Sequence, residues 1–415
     1  MEKVPNRYRQ RPSYIREVRR RKCIVAGISL AVLAALVFSA NYVVTITSPY
    51  VSPKLADVKL SARTAVNPVW PNYGSGAIGA ASYDGVLARF GDKNPRPVAS
   101  ITKIITALVV LDKKPLSGNE AGPDIKLTDA DQIIYEKALA AGAAVKPVTV
   151  SSSMTERQML AAMLLPSAAN YSETLAIWAF GSVDEYLRAA DSWLAKNNLT
   201  QTRIVDTSGL SPDDTSTTSD LINLGKIVLK NTSLASITSL KKASIPDVGE
   251  VNNSNYLIGQ LGINGIKTGT TAEAGACILF SSIINVGNEK ITIVGVLLGA
   301  DNRSQQSIDT INLLKSIQPG FRQVKVISRG QELANYSSDW GQTAKLISYK
   351  DINVVAWSNT PISVKVNADK LKTAKSGQQT GEVTVSVGNK TIKQPLIVDG
   401  VINSPNLFWR LMHLW

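Results

Sequence analysis

Ser100 and Lys103 stand three residues apart in PVASITKIITALVVL (97–111). That spacing puts a hydroxyl and an amine on one face of a helical turn. A hydroxyl is a poor nucleophile until a neighbouring base takes its proton. The usual base is nearly absent from this chain, whose single histidine is His413, close to the last residue. A Ser-His-Asp triad or a His-ligated zinc centre would have to recruit that tail. Lysine is the best remaining candidate, provided burial or nearby positive charge depresses its pKa. Taken alone, a Ser-x-x-Lys pair is equally accounted for by two solvated polar residues at the start of a helix.

A second stretch, GIKTGTT (265–271), reads as a strand carrying Lys267-Thr268-Gly269. Gly269 has no side chain to hold off an approaching substrate backbone. Lys267 supplies positive charge, suited to a carboxylate and to lowering the pKa of another lysine. The backbone N–H of Thr270 could join that of Ser100 to hold a developing oxyanion. By itself this too could be a strand edge followed by a polar turn.

These residues need a scaffold, and the chain has material for two or three domains. Its net charge of +13 is concentrated: residues 1–22 carry nine Lys/Arg against Glu2 and Glu17, leaving +6 over the remaining 393 residues. The basicity is therefore a tail property, and no nucleic-acid partner is expected. Residues 23–46 follow without a charge, long enough for the ~20 apolar residues that span a bilayer. The segment reads as a transmembrane anchor with the basic tail (1–22) cytoplasmic and the rest of the chain outside. A cleaved signal peptide ending near Phe38-Ser39-Ala40 is the rival reading. Cys23 and Cys277 are too differently placed for a disulfide between them to be expected.

Residues 47–72, with Pro49, Pro53, Pro68 and Pro71, read as an extended stalk. GAIGAASYDGVLARF (76–90) offers a hairpin about Tyr83-Asp84-Gly85. Thr155 and Gln158 form a capping box for a helix that Pro166 ends. NYSETLAIWAF closes at Gly181, and Ser182 with Glu185 opens VDEYLRAADSWLAK. An antiparallel meander follows from 263, then an amphipathic helix over 303–317 through Ile308, Ile311, Leu314 and Ile317. Short alternating segments over 321–402 predict a small all-β module. The apolar tail NLFWRLMHLW (406–415) is suited to packing on that module or to the membrane interface. The predicted fold class is α/β or α+β, helices packed on a sheet.

Ser-x-x-Lys near the start with Lys-Thr-Gly about 165 residues later, and a Ser-x-Asn between, form a known set. With MLLPSAANYSETLA (ending at 176), WAFGSVDEY (178–186), DTSGLSP (206–212) and GIKTGTTAEAG (265–275), the chain resembles the low-molecular-mass penicillin-binding serine D-alanyl-D-alanine carboxypeptidases. The resemblance covers roughly 70–315 and implies a β-lactamase/transpeptidase-like catalytic domain over 73–318, followed by a β-rich domain over 321–405. It implies Ser100 as the acylated nucleophile, Lys103 as its base and Ser167 as a proton relay. Lys267 and Thr268 would bind the carboxylate of a terminal D-alanine. The implied substrate is a peptidoglycan stem peptide ending in D-Ala-D-Ala, with β-lactams as covalent inhibitors and no metal or cofactor.

The middle motif departs from the family pattern. The order here is Ser167-Ala168-Ala169-Asn170, so Ala169 stands where the family has asparagine. Asn170 either enters the cleft as a substrate-binding residue or acts as the N-cap of the next helix, with Glu173 completing a capping box. The departure keeps open a non-catalytic relative that binds wall peptide or a partner protein. D,D-endopeptidase and β-lactamase chemistry are the remaining alternatives.

Overall fold

A computed structural model of the chain describes residues 12–46 and 49–413. Lys3, Arg7, Arg9 and Arg11 of the basic tail, and Leu414 and Trp415 of the aromatic tail, lie outside the described residues. The first helix runs Pro12–Ile46, so Arg16, Arg19, Arg20, Arg21 and Lys22 extend the apolar segment as helix. No helix breaker separates the two, and Glu17 pairs with Arg21 one turn on. Its stretch Tyr14–Tyr42 is long and apolar enough to cross a membrane.

The central sheet has five antiparallel strands, in the order Ile263–Thr271, Gly275–Val286, Glu289–Ala300, Ser75–Ala80 and Ala88–Phe90. The first of these, which carries Lys267-Thr268-Gly269, is an edge strand with one side free of the sheet. The sheet is buried on both faces, and its side chains alternate between two cores. Cys277 and Leu279 enter the core under the helices. Ile278 and Phe280 enter the core shared with the C-terminal module.

At the heart of the helical layer lies Thr102–Lys113, preceded by a short 3-10 turn, Ala99–Ile101. Its residues from Thr102 to Leu111 are all buried. A helix apolar on every side belongs in the interior, and burying each Ile, Leu or Val contributes about 1.5–3 kcal/mol. That burial holds Ser100 and Lys103 on a rigid support. The helices Glu156–Leu164, Ala169–Phe180 and Val183–Lys196 surround it. Their ends follow the sequence signals: the Thr155/Gln158 box is formed in both directions, Gly181 is left-handed at φ 88°, and Ser182 caps through the Glu185 N–H.

Three expectations are corrected. The segment 47–72 is no free stalk over its described part. Pro53–Leu55 adds a strand to the C-terminal sheet beside Glu332–Ser337, and Val51 bridges Leu371. The Arg63 guanidinium reaches the carbonyls of Ser358 and Thr360, and the Val66 N–H donates to Ser358 Oγ at 2.8 Å. The exposed edge of the Glu332–Ser337 strand needs backbone partners, and three residues are too few to show alternation. Second, the buried face of the helix Arg303–Ile317 is shifted: Leu314 and Ile317 are buried as expected and Ile311 partly so, but Gln306, Thr310 and Leu313 join them, whereas Ile308 is 54% exposed. Third, the N-cap of Ala169–Phe180 is Ala168, not Asn170.

The C-terminal module holds a six-stranded sheet, ordered Pro53–Leu55, Glu332–Ser337, Thr343–Ser348, Lys390–Gly400, Gln379–Val387 and Ile362–Asn367. A separate pair, Phe321–Ile327 with Ile352–Trp357, leads into it. The hairpin tip ties the two parts together, since the Trp357 N–H donates to the Tyr83 hydroxyl at 3.1 Å. The tail helix Leu407–Met412 sets Trp409 edge-on to Trp340, while Phe408 stays exposed. His413 stacks on Trp409 with centroids 4.1 Å apart, so the one histidine is occupied there.

Candidate active site

The seat of Ser100, the expected nucleophile, is built from backbone. Ala99 adopts a positive φ of 47° immediately before Ser100, a conformation L-residues avoid and one that clusters at functional sites. Two glycines let neighbouring chains close on it. A Cβ on Gly209, in the DTSGLSP loop, would lie 1.9 Å from the Ala99 carbonyl oxygen, and one on Gly269 would lie 2.5 Å from the Ser100 nitrogen. Lys-Thr-Gly thus meets the first turn of Ser-x-x-Lys at van der Waals range, as the sequence pairing required.

Lys103 is buried, and its Nζ donates to Ser100 Oγ at 3.0 Å and to the Ser208 carbonyl at 2.7 Å. Burial pulls its pKa down to about 7, against the opposing pull of Asp206 and Asp214. A neutral amine within hydrogen-bond reach of a hydroxyl is what a general base requires. Of the two causes the sequence left open, burial is the one that depresses Lys103. Charge acts in the other direction, since burial lowers Lys267 well below the usual lysine value and Lys103 and Arg303 lower it further.

Asp206 shapes the loop that receives Lys103. Its carboxylate accepts from the N–H groups of Ser208, Gly209 and Ser211, which aims the Ser208 carbonyl at the ammonium. Sequence reasoning quoted this loop without giving it a role. Its signal is the Asx-turn order Asp-Thr-Ser-Gly.

Lys267 Nζ donates to the Thr268 carbonyl at 2.8 Å and to Ser254 Oγ at 3.4 Å. Thr268 is buried, and its Oγ1 lies 2.9 Å from Ser254 Oγ. The Arg303 Nε donates to Thr270 Oγ1 at 3.1 Å. Arg303 was missed by the sequence analysis, where it was only the first residue of a helix. A second cation beside the Lys-Thr-Gly strand is legible only once the fold brings that helix to the strand end.

Ser167 follows Pro166 with a φ of 68° and is buried. Among the described residues no hydrogen bond joins its hydroxyl to Ser100, Lys103 or Lys267. Asn170 is fully buried, and both ends of its amide are engaged by Lys146, at 3.1 Å to the N–H and 3.0 Å to the carbonyl. The expectation of Asn170 as a substrate-binding residue is therefore corrected together with its capping role: the amide pins the 144–147 loop, aided by the Ala169 N–H on the Ala144 carbonyl and the Tyr171 hydroxyl on the Pro147 carbonyl. A loop with unpaired backbone groups over a helix start needs such partners.

A serine and a buried lysine on one turn, closed by a Lys-Thr-Gly edge strand, form the candidate active site. The family profile described as D-alanyl-D-alanine carboxypeptidase matches residues 80–302, and the chain belongs to that family. The chain is similar to a D-alanyl-D-alanine endopeptidase of Escherichia coli (strain K12), 27% identical over 48% of this chain and 63% of that protein. It is also similar to the D-alanyl-D-alanine carboxypeptidase DacD of the same organism, 22% identical over 60% of this chain and 63% of that one. The chain thus spans somewhat under two thirds of those relatives. Among solved structures, a peptidoglycan synthesis regulatory factor (PBP3) from Streptococcus pneumoniae shares the fold, with a TM-score of 0.59 at 19% identity over 83% of this chain and all of that one.

Proposed function

We propose that the chain is a serine-type D-Ala-D-Ala carboxypeptidase acting on peptidoglycan stem peptides, with β-lactams as covalent inhibitors. The observation that carries this is the 3.0 Å contact between Ser100 Oγ and the buried Lys103 amine. Ser100 Oγ attacks the carbonyl of the penultimate D-alanine while its proton passes to Lys103. The oxyanion is held by the N–H groups of Ser100 and Thr270. The peptide C–N bond then breaks, and the leaving amine takes a proton from Lys103 through Ser167. Water hydrolyses the ester on Ser100, releasing the shortened peptide.

Lys267, the Thr268 hydroxyl and Arg303 form the cationic end that takes the free carboxylate of the terminal D-alanine. The edge strand Ile263–Thr271 offers its free side to the substrate backbone, and Gly269 leaves room for it. The helix Pro12–Ile46 anchors the chain as a single span, its basic end cytoplasmic and the catalytic domain outside. Residues 73–318 form the catalytic domain and 321–405 the β-rich one.

The test is D-alanine release from a purified pentapeptide, expected for the wild type and lost in Ser100→Ala. The relatives named as endopeptidases favour a second reading, in which cross-linked dimer is cut faster than pentapeptide. Comparing the two substrates decides between them. Rapid nitrocefin hydrolysis would instead mark a β-lactamase.

Ala169 removes an amide that the family pattern places beside the substrate. Restoring it by Ala169→Asn is expected to raise turnover of pentapeptide by about 10²-fold, the usual worth of one positioned donor. Unchanged turnover would mean that the amide has no part in this site. Binding of stem peptide without D-alanine release, in both forms, would support the non-catalytic reading.

A further inference from the structure

Ser254 lies on the bend between two strands, outside every motif the sequence analysis singled out. Among the described residues, its hydroxyl is nonetheless the side chain that touches both Lys267 Nζ, at 3.4 Å, and Thr268 Oγ1, at 2.9 Å. The bend is held firmly. The Ser254 N–H donates to the Leu165 carbonyl at 2.8 Å, two residues before Ser167. Asn253 Oδ1 accepts the Asn255 N–H, and the Asn255 amide donates to the Gly265 carbonyl on the Lys-Thr-Gly strand.

The polarity of this contact follows from the donor inventory. In the protonated form that pairs with a carboxylate, Lys267 donates and cannot accept, so Ser254 Oγ then accepts from it. The 2.9 Å contact lets either hydroxyl donate; in the arrangement where Ser254 gives its single proton, Thr268 Oγ1 accepts it. Thr268 Oγ1, with its acceptor capacity used by Ser254, keeps its own proton for a further partner. The chain of donors runs from Lys267 through Ser254 to Thr268 and ends on an O–H with no acceptor yet assigned.

We propose that Ser254 is a positioning residue that orients the Thr268 hydroxyl as a donor toward the substrate carboxylate. The proposal rests on the reading that Lys267 and Thr268 take that carboxylate. Without the Ser254 proton, the Thr268 hydroxyl is free to rotate and to turn its lone pairs toward the anion, which repels it. The Lys267 ammonium also loses one of its two side-chain and backbone acceptors, so its position loosens. Ser254 therefore acts on recognition of the anionic end of the ligand and leaves the Ser100–Lys103 pair untouched.

The experiment measures acylation of the full chain by benzylpenicillin, which carries a carboxylate, and by its methyl ester, which does not. Wild type is expected to prefer the acid. Ser254→Ala is expected to shrink that preference about fivefold to tenfold, the value of one oriented hydrogen bond, with the ester rate kept within about twofold. Ser254→Thr and Ser254→Val have the same shape and differ in the hydroxyl, so Thr should keep the preference and Val should lose it. An equal fall with acid and ester, an unchanged preference in Ser254→Ala, or identical Thr and Val variants would overturn the role of Ser254. Absence of any acid preference in the wild type would overturn the carboxylate reading itself, and this proposal with it.

Discussion

Lys103→Met is expected to slow acylation of Ser100 by benzylpenicillin by about 10³-fold, within the range a positioned general base contributes. Methionine nearly matches the length of the buried lysine stem and needs no partner for an ammonium. The loss then reports the missing base rather than a collapsed helix, and an unchanged melting temperature checks that point. The wild type should show the matching pH dependence. Lys103 is pulled down to about 7, and the working form is the neutral amine. Acylation should therefore rise with pH through about 7 and level off above it. Below that point it should fall about tenfold per pH unit. A profile flat from pH 5 to 9 would contradict Lys103 as the base.

Gly269→Ala is expected to damage acylation far more than stability. The new Cβ would lie 2.5 Å from the Ser100 nitrogen and 2.8 Å from the Ala99 Cβ. The first of those is backbone in a buried turn and cannot swing aside, so the strand and the turn must separate. Overpacking of this kind costs typically ~1–3 kcal/mol of stability. The displacement falls on the proposed nucleophile and oxyanion donors, where an ångström of misplacement costs about 10²-fold in rate. Thermal unfolding and penicillin labelling should both change, labelling much the more. Near-normal labelling would show that the Lys-Thr-Gly strand does not press on Ser100.

Much of the fold was legible because its signals are local. Capping residues at Thr155 and Ser182, the left-handed stop at Gly181 and the alternating strands after 320 each declare themselves within a few residues. The helix Arg303–Ile317 was legible as a helix, and its face only in part. The sheet covers Gln306 and Thr310 through tertiary contact and leaves Ile308 in solvent, which overrides a purely apolar count. The strap over residues 51–66 was illegible for a related reason, since its pairing partners lie some 280 residues away.

The site divides in the same manner. Ser100, Lys103 and Lys267 to Gly269 carry residue types that chemistry singles out, and the structure puts Gly269 against Ser100. Asn170 was misread because a short-range pattern, Asn followed three residues on by Glu, imitates a cap. Its buried amide instead satisfies the backbone of Lys146, a contact no local pattern announces. Arg303 and Ser254 were missed because an arginine opening a helix and a serine in a bend are ordinary until the fold places them on the Lys-Thr-Gly strand.

The central claim is that Ser100 is the acylated nucleophile, and intact-protein mass spectrometry after exposure to benzylpenicillin tests it most directly. The account predicts one added penicilloyl mass on the wild-type chain, mapping by peptide digestion to Ser100, and none on Ser100→Ala. An adduct on another residue, or an unmodified wild-type protein under the same conditions, would contradict it.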